Sequence, residues 1–445
     1  MPEVDNQEQF VKWFRYSSPY INAHRGKTFI ILFDGEAVAD NKFAEIVHDI
    51  ALLNSLGIRL ILVHGARYQI DQRLHSDKIE TQILNGVRVT DEQTLQIVKQ
   101  SVGCVRMQIE AMLSMGVANS PMAGAKIRVV SSNFVTAKPY GVHDGVDFHF
   151  TGEVRRIDAK AIEHQLDEGA IVLLSSTGYS PTGEIFSLTA EEVATRTAIA
   201  VSADKFVYLS NEWLASDNKQ VSNQLSLSQA KSFLQENQSG LTQEIQTQLQ
   251  CAIDVCSRGV RRAHLVNRDI PGALLLELFS RNGIGCMVSS DSYDIIRQAN
   301  IDDVGGILEL IEPLEQQGIL VRRSRELLEM EIDHFILMER DGMIIACAGL
   351  YPFPDDAMAE LACLAVHKDY QRSQRGETLL ALLEKQALQQ NIDKLFVLSS
   401  KTTHWFLEKG FELSDINALP IQKKSLYNYQ RRSKVFTKHL SEKRI

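Results

Sequence analysis

The sequence predicts an α/β protein in which a three-layer domain with a mostly parallel sheet precedes a smaller mixed α/β domain. Strand-like apolar runs alternate with helical patterns up to about residue 290, and such alternation is typical of βαβ units. Near Ser289 to Asp294 the apolar pattern breaks, and shorter elements follow. The predicted parts are an N-terminal helix at residues 1–25, a first domain at 26–290 and a second domain at 295–445.

Six apolar runs predict the strands of the first domain, and three longer segments predict helices between them. The strands are TFIILF, RLILVHG, KIRVVSSNFV, AIVLLSS, KFVYLS and RAHLVN. The helices are KFAEIVHDIALLNSLG, DEQTLQIVKQSVGCV and AEEVATRTAIAVSA. The polar run from Ala215 to Gln243 interrupts this order, so we expect an exposed insertion there.

The second domain begins with a predicted strand, YDIIRQA, and the helix DDVGGILELIEPL. Ser324 is a good N-cap for the next helix, and Asp341-Gly342 predicts a hairpin between FILMER and MIIACAGL. The strand AELACLAV then leads through the loop HKDYQRSQRG into the helix ETLLALLEKQALQQ. The strand KLFVLSS follows, and Gly410 closes the short helix in THWFLEKGF.

Composition and charge narrow the class of protein. The formal net charge is −9, of which about −2 falls on residues 295–445, so neither part is the basic body typical of a nucleic-acid-binding protein. The N-terminus is polar and no stretch approaches about 18 uncharged apolar residues, so we expect a cytoplasmic protein with no membrane and no nucleic-acid partner. The six cysteines show no spacing suited to zinc, which favours free thiols and no metal site.

The junction between AELACLAV and the following helix carries the strongest chemical signal. Backbone N–H groups at a strand-loop-helix junction form an anion site, and the helix dipole adds to it. Arg372 and Arg375 add positive charge, and Gly376 allows close approach of the backbone. The sequence therefore predicts a site that fits a pyrophosphate.

This loop, from Val366 to Gly376, and the segment HWFLEKGF resemble those of the Gcn5-related N-acetyltransferase family, which binds acetyl-CoA. Gln371 and Gly376 match the family loop, whereas Gln374 stands where its first glycine is expected. The resemblance implies an acetyl-CoA site formed by Cys363, Leu364, Ala365, Val366, Gln371, Arg372, Ser373, Gln374, Arg375 and Gly376.

The first domain resembles the amino-acid kinase family in the segments PYINAHRGKTFIIL, LLNSLGIRLILVHGARYQID, NGVRVTDEQTLQIVK and GVRRAHLVNRDIPGALLLELFSRNGIG. Leu32 stands at the position of the family's phosphate-binding lysine, and Asp34 at that of the first glycine. The second phosphate loop reads Gly65-Ala66-Arg67 where the family usually has three glycines. Because phosphoryl transfer needs positive charge aimed at the phosphates, we expect the kinase fold without kinase activity.

Two further motifs resemble those of the arginine-inhibited kinases: Pro19-Tyr20-Ile21 and the ELFS-x-x-G-x-G segment from Glu277 to Gly285. The resemblance implies an arginine site at Tyr20, Glu277, Gly283 and Gly285. Phe10, Trp13 and Phe14 form an apolar stripe on the N-terminal helix. In such relatives this helix joins dimers into a hexamer, and the alternative is that the stripe packs on its own subunit.

A kinase-like domain fused to an acetyltransferase resembles the bacterial amino-acid N-acetyltransferase family over essentially the whole chain. The resemblance implies acetyl transfer from acetyl-CoA to L-glutamate in arginine biosynthesis, with L-arginine as feedback inhibitor. By family position Glu360 is the general base and Ser399 protonates the departing thiolate, although a serine that merely ends a strand is an equal alternative. A backbone N–H between Cys363 and Val366 is the expected oxyanion donor.

A dicarboxylate substrate needs cationic partners, for which arginine is well suited. Family position assigns glutamate binding to Arg323, Arg431 and Ser433, with a shift of one residue open in both clusters. Two other functions stay open: a bifunctional enzyme that also phosphorylates acetylglutamate, and a non-catalytic arginine sensor. A different amine substrate is a third alternative, against which the two arginines argue.

Overall fold

The computed structural model describes residues 2–84, 86–115, 122–212, 223–237, 240–280, 283–290, 295–340, 343–371, 375–399, 403–425 and 433–440. The chain divides into two compact units, Met1–Ser292 and Tyr293–Ile445. Each unit has its own main sheet and its own apolar core.

The first unit alternates strands and helices along most of its length. Its elements are α1 (Pro2–His24), β1 (Thr28–Phe33), α2 (Gly35–Ala39), α3 (Phe43–Ser55), β2 (Arg59–His64), α4 (Arg67–Ser76), β3 (Ile83–Leu84), β4 (Val87–Arg88), α5 (Glu92–Leu113), β5 (Val129–Val130), β6 (Val135–Pro139), β7 (Val142–His143), β8 (Val146–Asp147), β9 (Gly152–Ile157), α6 (Ala159–Asp167), β10 (Ile171–Ser175), β11 (Thr177–Tyr179), β12 (Ile185–Ser187), α7 (Ala190–Ala200), β13 (Lys205–Ser210), β14 (Gln224–Ser226), α8 (Leu227–Asn237), α9 (Gln243–Ser257), β15 (Arg262–Asn267), α10 (Ala273–Phe279) and β16 (Cys286–Ser289).

The main sheet of this unit is mostly parallel and lies between two layers of helices. Its strand order is β14-β16-β15-β13-β1-β2-β10-β5, and of its described neighbour pairs only β15–β16 is antiparallel. Along β1, Ile30 and Leu32 pack in one apolar cluster, whereas Phe29, Ile31 and Phe33 pack in the other. A strand buried on both faces is apolar throughout, as TFIILF is. The predicted three-layer α/β fold is confirmed.

Two of the sequence predictions for this unit are wrong. KIRVVSSNFV is not one strand, because β5 ends the main sheet whereas β6 belongs to a second sheet of order β12-β11-β6-β9. The polar run is not simply an exposed insertion, because β14 is the edge strand of the main sheet and Leu225 and Ala230 are buried. An edge strand with one covered face needs few apolar residues, so its composition resembles that of a loop. Residues 213–222 and 238–239 lie outside the described residues.

The C-terminal half of α1 is attached to α10. Ser17 Oγ donates to Phe279 O at 3.2 Å, and His24 Nε2 donates to Leu278 O at 2.8 Å. Nearer the N-terminus, Phe10 is 63% and Phe14 55% exposed, and their rings stack with centroids 6.2 Å apart. The apolar stripe therefore does not pack against the described residues of its own subunit, which contradicts that alternative.

The second unit is built on one mixed sheet with helices on both faces. Its elements are β17 (Ile295–Gln298), α11 (Val304–Gln316), α12 (Arg325–Glu331), β18 (Phe335–Arg340), β19 (Met343–Phe353), β20 (Met358–Val366), α13 (Arg375–Gln389), β21 (Lys394–Ser399), α14 (Thr403–Glu408), β22 (Glu412–Ser414), α15 (Ile421–Ser425) and β23 (Lys434–His439).

The strand order of this sheet is β17-β18-β19-β20-β21-β23-β22, in which β20 and β21 are the parallel pair. Helix α13 covers one face, and α11 and α12 cover the other. Ser324 caps α12 by accepting a hydrogen bond from Leu327 N, as predicted. The predicted turn at Asp341-Gly342 lies outside the described residues, although the flanking strands β18 and β19 pair antiparallel. The predicted mixed α/β fold is confirmed.

Candidate active site

A cleft opens in the second unit because β20 and β21 pair over only part of their length. Their register ends with Glu360 opposite Phe396, although β20 continues to Val366 and β21 to Ser399. Parallel strands that stop pairing leave backbone groups directed into the gap between them. The sheet therefore supplies a groove whose head is marked by Glu360.

Glu360 is buried, with 8% of its surface exposed. Its cross-strand neighbour on β19 is Tyr351, so these two side chains lie on the same face of the sheet. Lys423 of α15 contacts the carboxylate, with Nζ 2.5 Å from Oε2. The apolar sequence around Glu360 gave no sign of this cation, because Lys423 lies more than 60 residues further along the chain.

Ser399 ends β21 and is 6% exposed. Phe396 and Leu398 pack on the face that carries Glu360, whereas Val397 packs on the α13 face. By strand alternation Ser399 also faces α13. The two predicted catalytic side chains therefore lie on opposite faces of the sheet, with Ser399 three residues beyond Phe396, the residue that pairs with Glu360.

A β-bulge interrupts β20 at the predicted oxyanion donors. Gly349 pairs with Ala362 and Cys347 with Ala365, so Cys363 and Leu364 together stand opposite a single residue of β19. Cys363 has φ +53°, a conformation that is costly for any residue but glycine. A bulge leaves its extra residue unpaired in the ladder, so the backbone at Cys363 and Leu364 departs from regular β19–β20 pairing.

The thiol of Cys363 is buried between Cys347 and the predicted substrate arginine. The S–H of Cys347 donates to Cys363 O at 3.6 Å. A hydrogen bond between the two thiols and the positive charge of Arg323 lower the pKa of the Cys363 thiol. The thiol–thiol hydrogen bond and burial raise the pKa of the Cys347 thiol. Cys363 is 5% exposed, so its side chain is a packed neighbour of Arg323 rather than an open nucleophile.

Arg323 lies against a polar cluster that the sequence did not reveal. Tyr351 Oη donates to Glu331 Oε2 at 2.6 Å, and both groups neighbour the Arg323 guanidinium. Burial alone would lower the pKa of Arg323, but the Cys363 thiol, the phenol and the carboxylate outweigh it and raise that pKa. A half-buried guanidinium beside a phenol and a carboxylate is restricted in direction, as recognition of a carboxylate requires.

The other predicted glutamate ligands are only partly described. Ser433 is buried and precedes β23, whose Lys434 pairs with Ser399. The structure thus brings Ser433 and Ser399 to the same edge of the cleft. Arg431 lies outside the described residues.

The predicted pyrophosphate loop runs from the end of β20 to the start of α13. Gln371 Nε2 donates back to Val366 O at 3.2 Å, and Arg375 Nη1 donates to Tyr370 O at 3.0 Å. A Cβ built at Gly376 would lie 3.4 Å from the Trp405 ring, an ordinary van der Waals contact, so this ring lies directly beside the start of α13. The predicted ligands Arg372, Ser373 and Gln374 lie outside the described residues.

Both units match known families. Residues 27–267 match the amino acid kinase family, and residues 306–411 match the acetyltransferase (GNAT) family. Amino-acid acetyltransferases of Ectopseudomonas mendocina and Escherichia coli K12 are 52% and 50% identical to this chain. Each match covers 97% of this chain, and 99% and 98% of the respective relative. The chain belongs to the amino-acid acetyltransferase family.

A solved structure extends this likeness to the fold of the whole chain. N-acetylglutamate synthase from Neisseria gonorrhoeae, complexed with coenzyme A and L-arginine, matches with a TM-score of 0.87 at 35% identity. The same protein with coenzyme A and N-acetyl-glutamate matches with a TM-score of 0.61 at 36% identity. Both matches cover 97% of this chain and 100% of that one. The predicted kinase-like fold followed by an acetyltransferase domain is thereby confirmed.

In the kinase-like unit of this acetyltransferase, the segments at the positions of the kinase family's two phosphate loops contact each other. Asp34 Oδ1 accepts a hydrogen bond from Ala37 N at 2.6 Å and so caps α2. Gln69 Nε2 donates to Gly35 O at 2.6 Å, and a Cβ built at Gly35 would lie 2.1 Å from Gln69 Oε1. The buried Arg268 adds ion contacts to α2 and its C-cap. The loops that would hold a phosphate are bound to each other instead.

Two of the residues predicted to bind L-arginine, Gly283 and Gly285, lie against the buried carboxylate of a third, Glu277. Glu277 Oε2 accepts hydrogen bonds from Ile284 N and Gly285 N, both at 2.8 Å. A Cβ built at Gly283 would lie 2.4 Å from the same oxygen, and one at Gly285 would lie 2.4 Å from Leu265 O. These two glycines therefore permit the close approach that the sequence motif implied.

Two basic side chains complete this cluster. His264 Nδ1 donates to Glu277 Oε1 at 2.6 Å, and Lys205 Nζ donates to His264 Nε2 at 3.3 Å. Burial alone would raise the pKa of Glu277, but the hydrogen bond from His264 and the two backbone donors lower it to about 2. The Tyr20 ring lies beside the His24 ring, with centroids 6.4 Å apart, and His24 in turn contacts the backbone of Leu278, the residue after Glu277.

Sequence reasoning missed several residues of these sites: Lys205, His264, Glu331, Tyr351 and Lys423. His264 gave the clearest signal, since it is a basic residue inside the apolar strand RAHLVN, and Lys205 begins the apolar strand KFVYLS. Glu331, Tyr351 and Lys423 gave none, because only the folded chain brings them beside Arg323 and Glu360.

Among the described residues, no group of three or more His, Cys, Asp or Glu side chains is placed to hold a metal ion. None of the helices in that part of the chain combines the length and hydropathy of a membrane span.

Proposed function

We propose that this enzyme is an N-acetylglutamate synthase, which transfers the acetyl group of acetyl-CoA to the α-amino group of L-glutamate. The observation that carries the proposal is the buried Glu360 carboxylate at the head of the β20–β21 cleft. The family membership supports it, as does the similar protein complexed with coenzyme A and N-acetyl-glutamate. The reaction would be the first step of arginine biosynthesis and would take place in the cytoplasm.

In the proposed mechanism the glutamate ammonium loses a proton to Glu360, and the free amine attacks the thioester carbonyl carbon. A backbone N–H of the Cys363 bulge stabilises the oxyanion of the tetrahedral intermediate. The C–S bond then breaks, Ser399 protonates the departing thiolate, and the second proton lost by the attacking nitrogen restores the serine hydroxyl through water. Because Glu360 and Ser399 lie on opposite faces of the sheet, the acceptor would enter from one face and the donor from the other.

Acetyl-CoA would bind along the cleft with its pyrophosphate at the start of α13. The N-terminal N–H groups of this 15-residue helix attract an anion, and Gly376 leaves space beside Trp405. The predicted donor site comprises the bulge and the loop, Cys363 to Val366 and Gln371 to Gly376.

The two carboxylates of glutamate would be held by Arg323, Arg431 and Ser433. The Tyr351–Glu331 pair supports this assignment because it restricts the direction of the Arg323 guanidinium. A neutral or one-carboxylate amine would lack one of the charge-assisted carboxylate–arginine contacts, which are stronger than neutral hydrogen bonds. The pair of arginines thus selects for a dicarboxylate.

We assign the kinase-like unit, residues 26–290, a regulatory role in which it binds L-arginine and inhibits the acetyltransferase, residues 295–445. Glu277 would accept the arginine cation, with Tyr20, Gly283 and Gly285 around it. The similar protein complexed with L-arginine supports this role. Residues 1–25 would join subunits into a hexamer through the exposed stripe at Phe10, Trp13 and Phe14.

The test follows release of the CoA thiol from acetyl-CoA with L-glutamate, with L-glutamine as the matched amide, and without an acceptor. We expect release with glutamate only, inhibition by millimolar L-arginine, and loss of at least about 100-fold in E360Q, since general base catalysis contributes about 10²–10⁴-fold. Thiol release that L-arginine does not inhibit would exclude the regulatory role. No release in the presence of any acceptor would overturn the enzyme assignment in favour of a binding protein.

A further inference from the structure

Lys423 forms an ion pair with the carboxylate that the proposed reaction uses as its base. Its Nζ lies 2.5 Å from Glu360 Oε2, and the two side chains are 25% and 11% exposed. Among the ion pairs of the described residues, neither side chain has another partner. This is therefore a contact between one specific cation and one partly enclosed carboxylate.

Among the described residues, the cross-strand neighbours of Glu360 do not supply a positive charge. Tyr351 faces it from β19, but the phenol donates its proton to Glu331 at 2.6 Å. Phe396 faces it from β21 and carries no charge. Within the described part of the chain, Lys423 is the cation in contact with Glu360.

Apolar packing, rather than the ion pair, holds α15 in place. Leu419, just before the helix, is 3% exposed and packs in a cluster with Met358, Phe396 and Val435. Lys423 N and Lys424 N both donate to Pro420 O, which begins the helical turn. The position of the Lys423 backbone beside β20 and β21 therefore does not depend on the contact of its side chain with Glu360.

A general base must lie within hydrogen-bond reach of the proton that it accepts, and a carboxylate held by an ion pair keeps one orientation. We propose that Lys423 is a positioning residue that aligns the Glu360 carboxylate at the head of the cleft. This inference rests on the proposed function. The proton passes from the substrate ammonium to Glu360, and Lys423 takes no part in its transfer.

The kinetic test compares wild type, K423M, K423R and the neighbouring control K424M in kcat and in KM for glutamate. Misalignment of a reacting group lowers the rate of the chemical step, so we expect kcat of K423M to fall about tenfold or more while its KM changes about twofold or less. K423R, which keeps the cation, and K424M should retain the wild-type kcat. A wild-type kcat in K423M, or an equal loss in K424M, would overturn the proposal.

A second measurement does not depend on activity. The unfolding temperatures of E360Q, K423M and the double variant at pH 8 form a double-mutant cycle. We expect the two single losses not to add, because either substitution alone removes the ion pair. Additive losses would contradict the coupling of Lys423 to Glu360. If the coupling is present but no glutamate-dependent thiol release occurs, the proposed function fails and Lys423 has no reaction to assist.

Discussion

The Asp34 carboxylate accepts a hydrogen bond from Ala37 N at 2.6 Å and caps the helix whose N-terminus would face a phosphate. Burial raises the pKa of Asp34, and the backbone hydrogen bond works against that rise. A helix N-terminus attracts an anion, and here the anion is supplied by the chain itself. At this position the carboxylate therefore has a structural role as a helix cap.

We expect wild type to show no ATP consumption with N-acetylglutamate and no binding of Mg·ATP by titration calorimetry. D34A should lower the free energy of unfolding by about 1 kcal/mol through loss of the cap. D158A is the matched control, because Asp158 caps α6 in the same way through Ala161 N. Mg·ATP binding to wild type would contradict the first expectation, and an unchanged stability of D34A would contradict the capping role.

Substitution of Glu277 should separate regulation from catalysis. In E277Q the carboxylate that faces His264 becomes an amide, so the cation of arginine loses its anionic partner. We expect glutamate acetylation without arginine to remain within about twofold and the arginine concentration for half inhibition to rise at least about tenfold, the loss of one charge-assisted hydrogen bond. Inhibition curves of the thiol-release assay measure both.

The exposed Glu80 provides the control variant, E80Q, which should retain the wild-type response to arginine. Equal inhibition of E277Q and wild type would place the arginine site elsewhere.

Arg323 should determine affinity for glutamate rather than for acetyl-CoA. R323K keeps the charge but loses the planar fork that binds a carboxylate with two hydrogen bonds, so we expect the KM for glutamate to rise about tenfold or more. Y351F should raise it less, because it removes the Tyr351–Glu331 hydrogen bond but keeps the ring. Steady-state kinetics with each substrate varied in turn measures the effect.

The KM for acetyl-CoA should stay within about twofold in both variants. R325K is the control, because Arg325 is exposed and pairs with Glu329 on its own helix. A larger rise for acetyl-CoA than for glutamate would contradict the assignment of Arg323 to the acceptor site.

The exposed stripe of α1 should determine the oligomeric state. Phe10 and Phe14 are 63% and 55% exposed, and an exposed apolar patch of this kind favours association. We expect light scattering to find a hexamer for wild type and a smaller species for the double variant F10D/F14D. K12E changes the charge on the same helix and should leave the mass unchanged. A hexameric F10D/F14D protein would exclude this contact.

His64 should make the kinase-like unit sensitive to acid. It is fully buried between Gly65 O, to which Nδ1 donates at 3.1 Å, and Ser175 Oγ, which donates to Nε2 at 2.9 Å. Burial lowers the pKa of His64 from 6.5 to about 4. Its contribution to stability is complete above pH 6.5 and is lost as the pH falls toward 4, because the unfolded chain binds the proton first.

The loss should total about 3 kcal/mol across this window. H64Q removes this titration. In urea titrations, the free energy of unfolding of wild type relative to that of H64Q should therefore fall from pH 7.5 to pH 6 and further to pH 4.5. H75Q, at an exposed histidine, should follow wild type. Parallel curves for wild type and H64Q would contradict the prediction.

The sequence by itself determined the fold class, the family resemblances and most of the local structure of this protein. Buried parallel strands must be apolar on both faces, so runs such as TFIILF are recognisable without any partner. Ser324 could be assigned as a cap because capping depends only on residues three or four positions apart. The motif in which backbone N–H groups near Gly283 and Gly285 contact Glu277 is likewise local, so the sequence predicted it.

Only the tertiary structure decided which side chains meet across long sequence separations. Lys423 reaches Glu360 and Glu331 reaches Tyr351 because distant elements pack on one sheet, and no local pattern records that contact. The edge strand β14 was missed for the same reason, since its partner β16 lies about 60 residues away. The bulge at Cys363 depends on the register of two strands, which the alternation of a single strand does not specify.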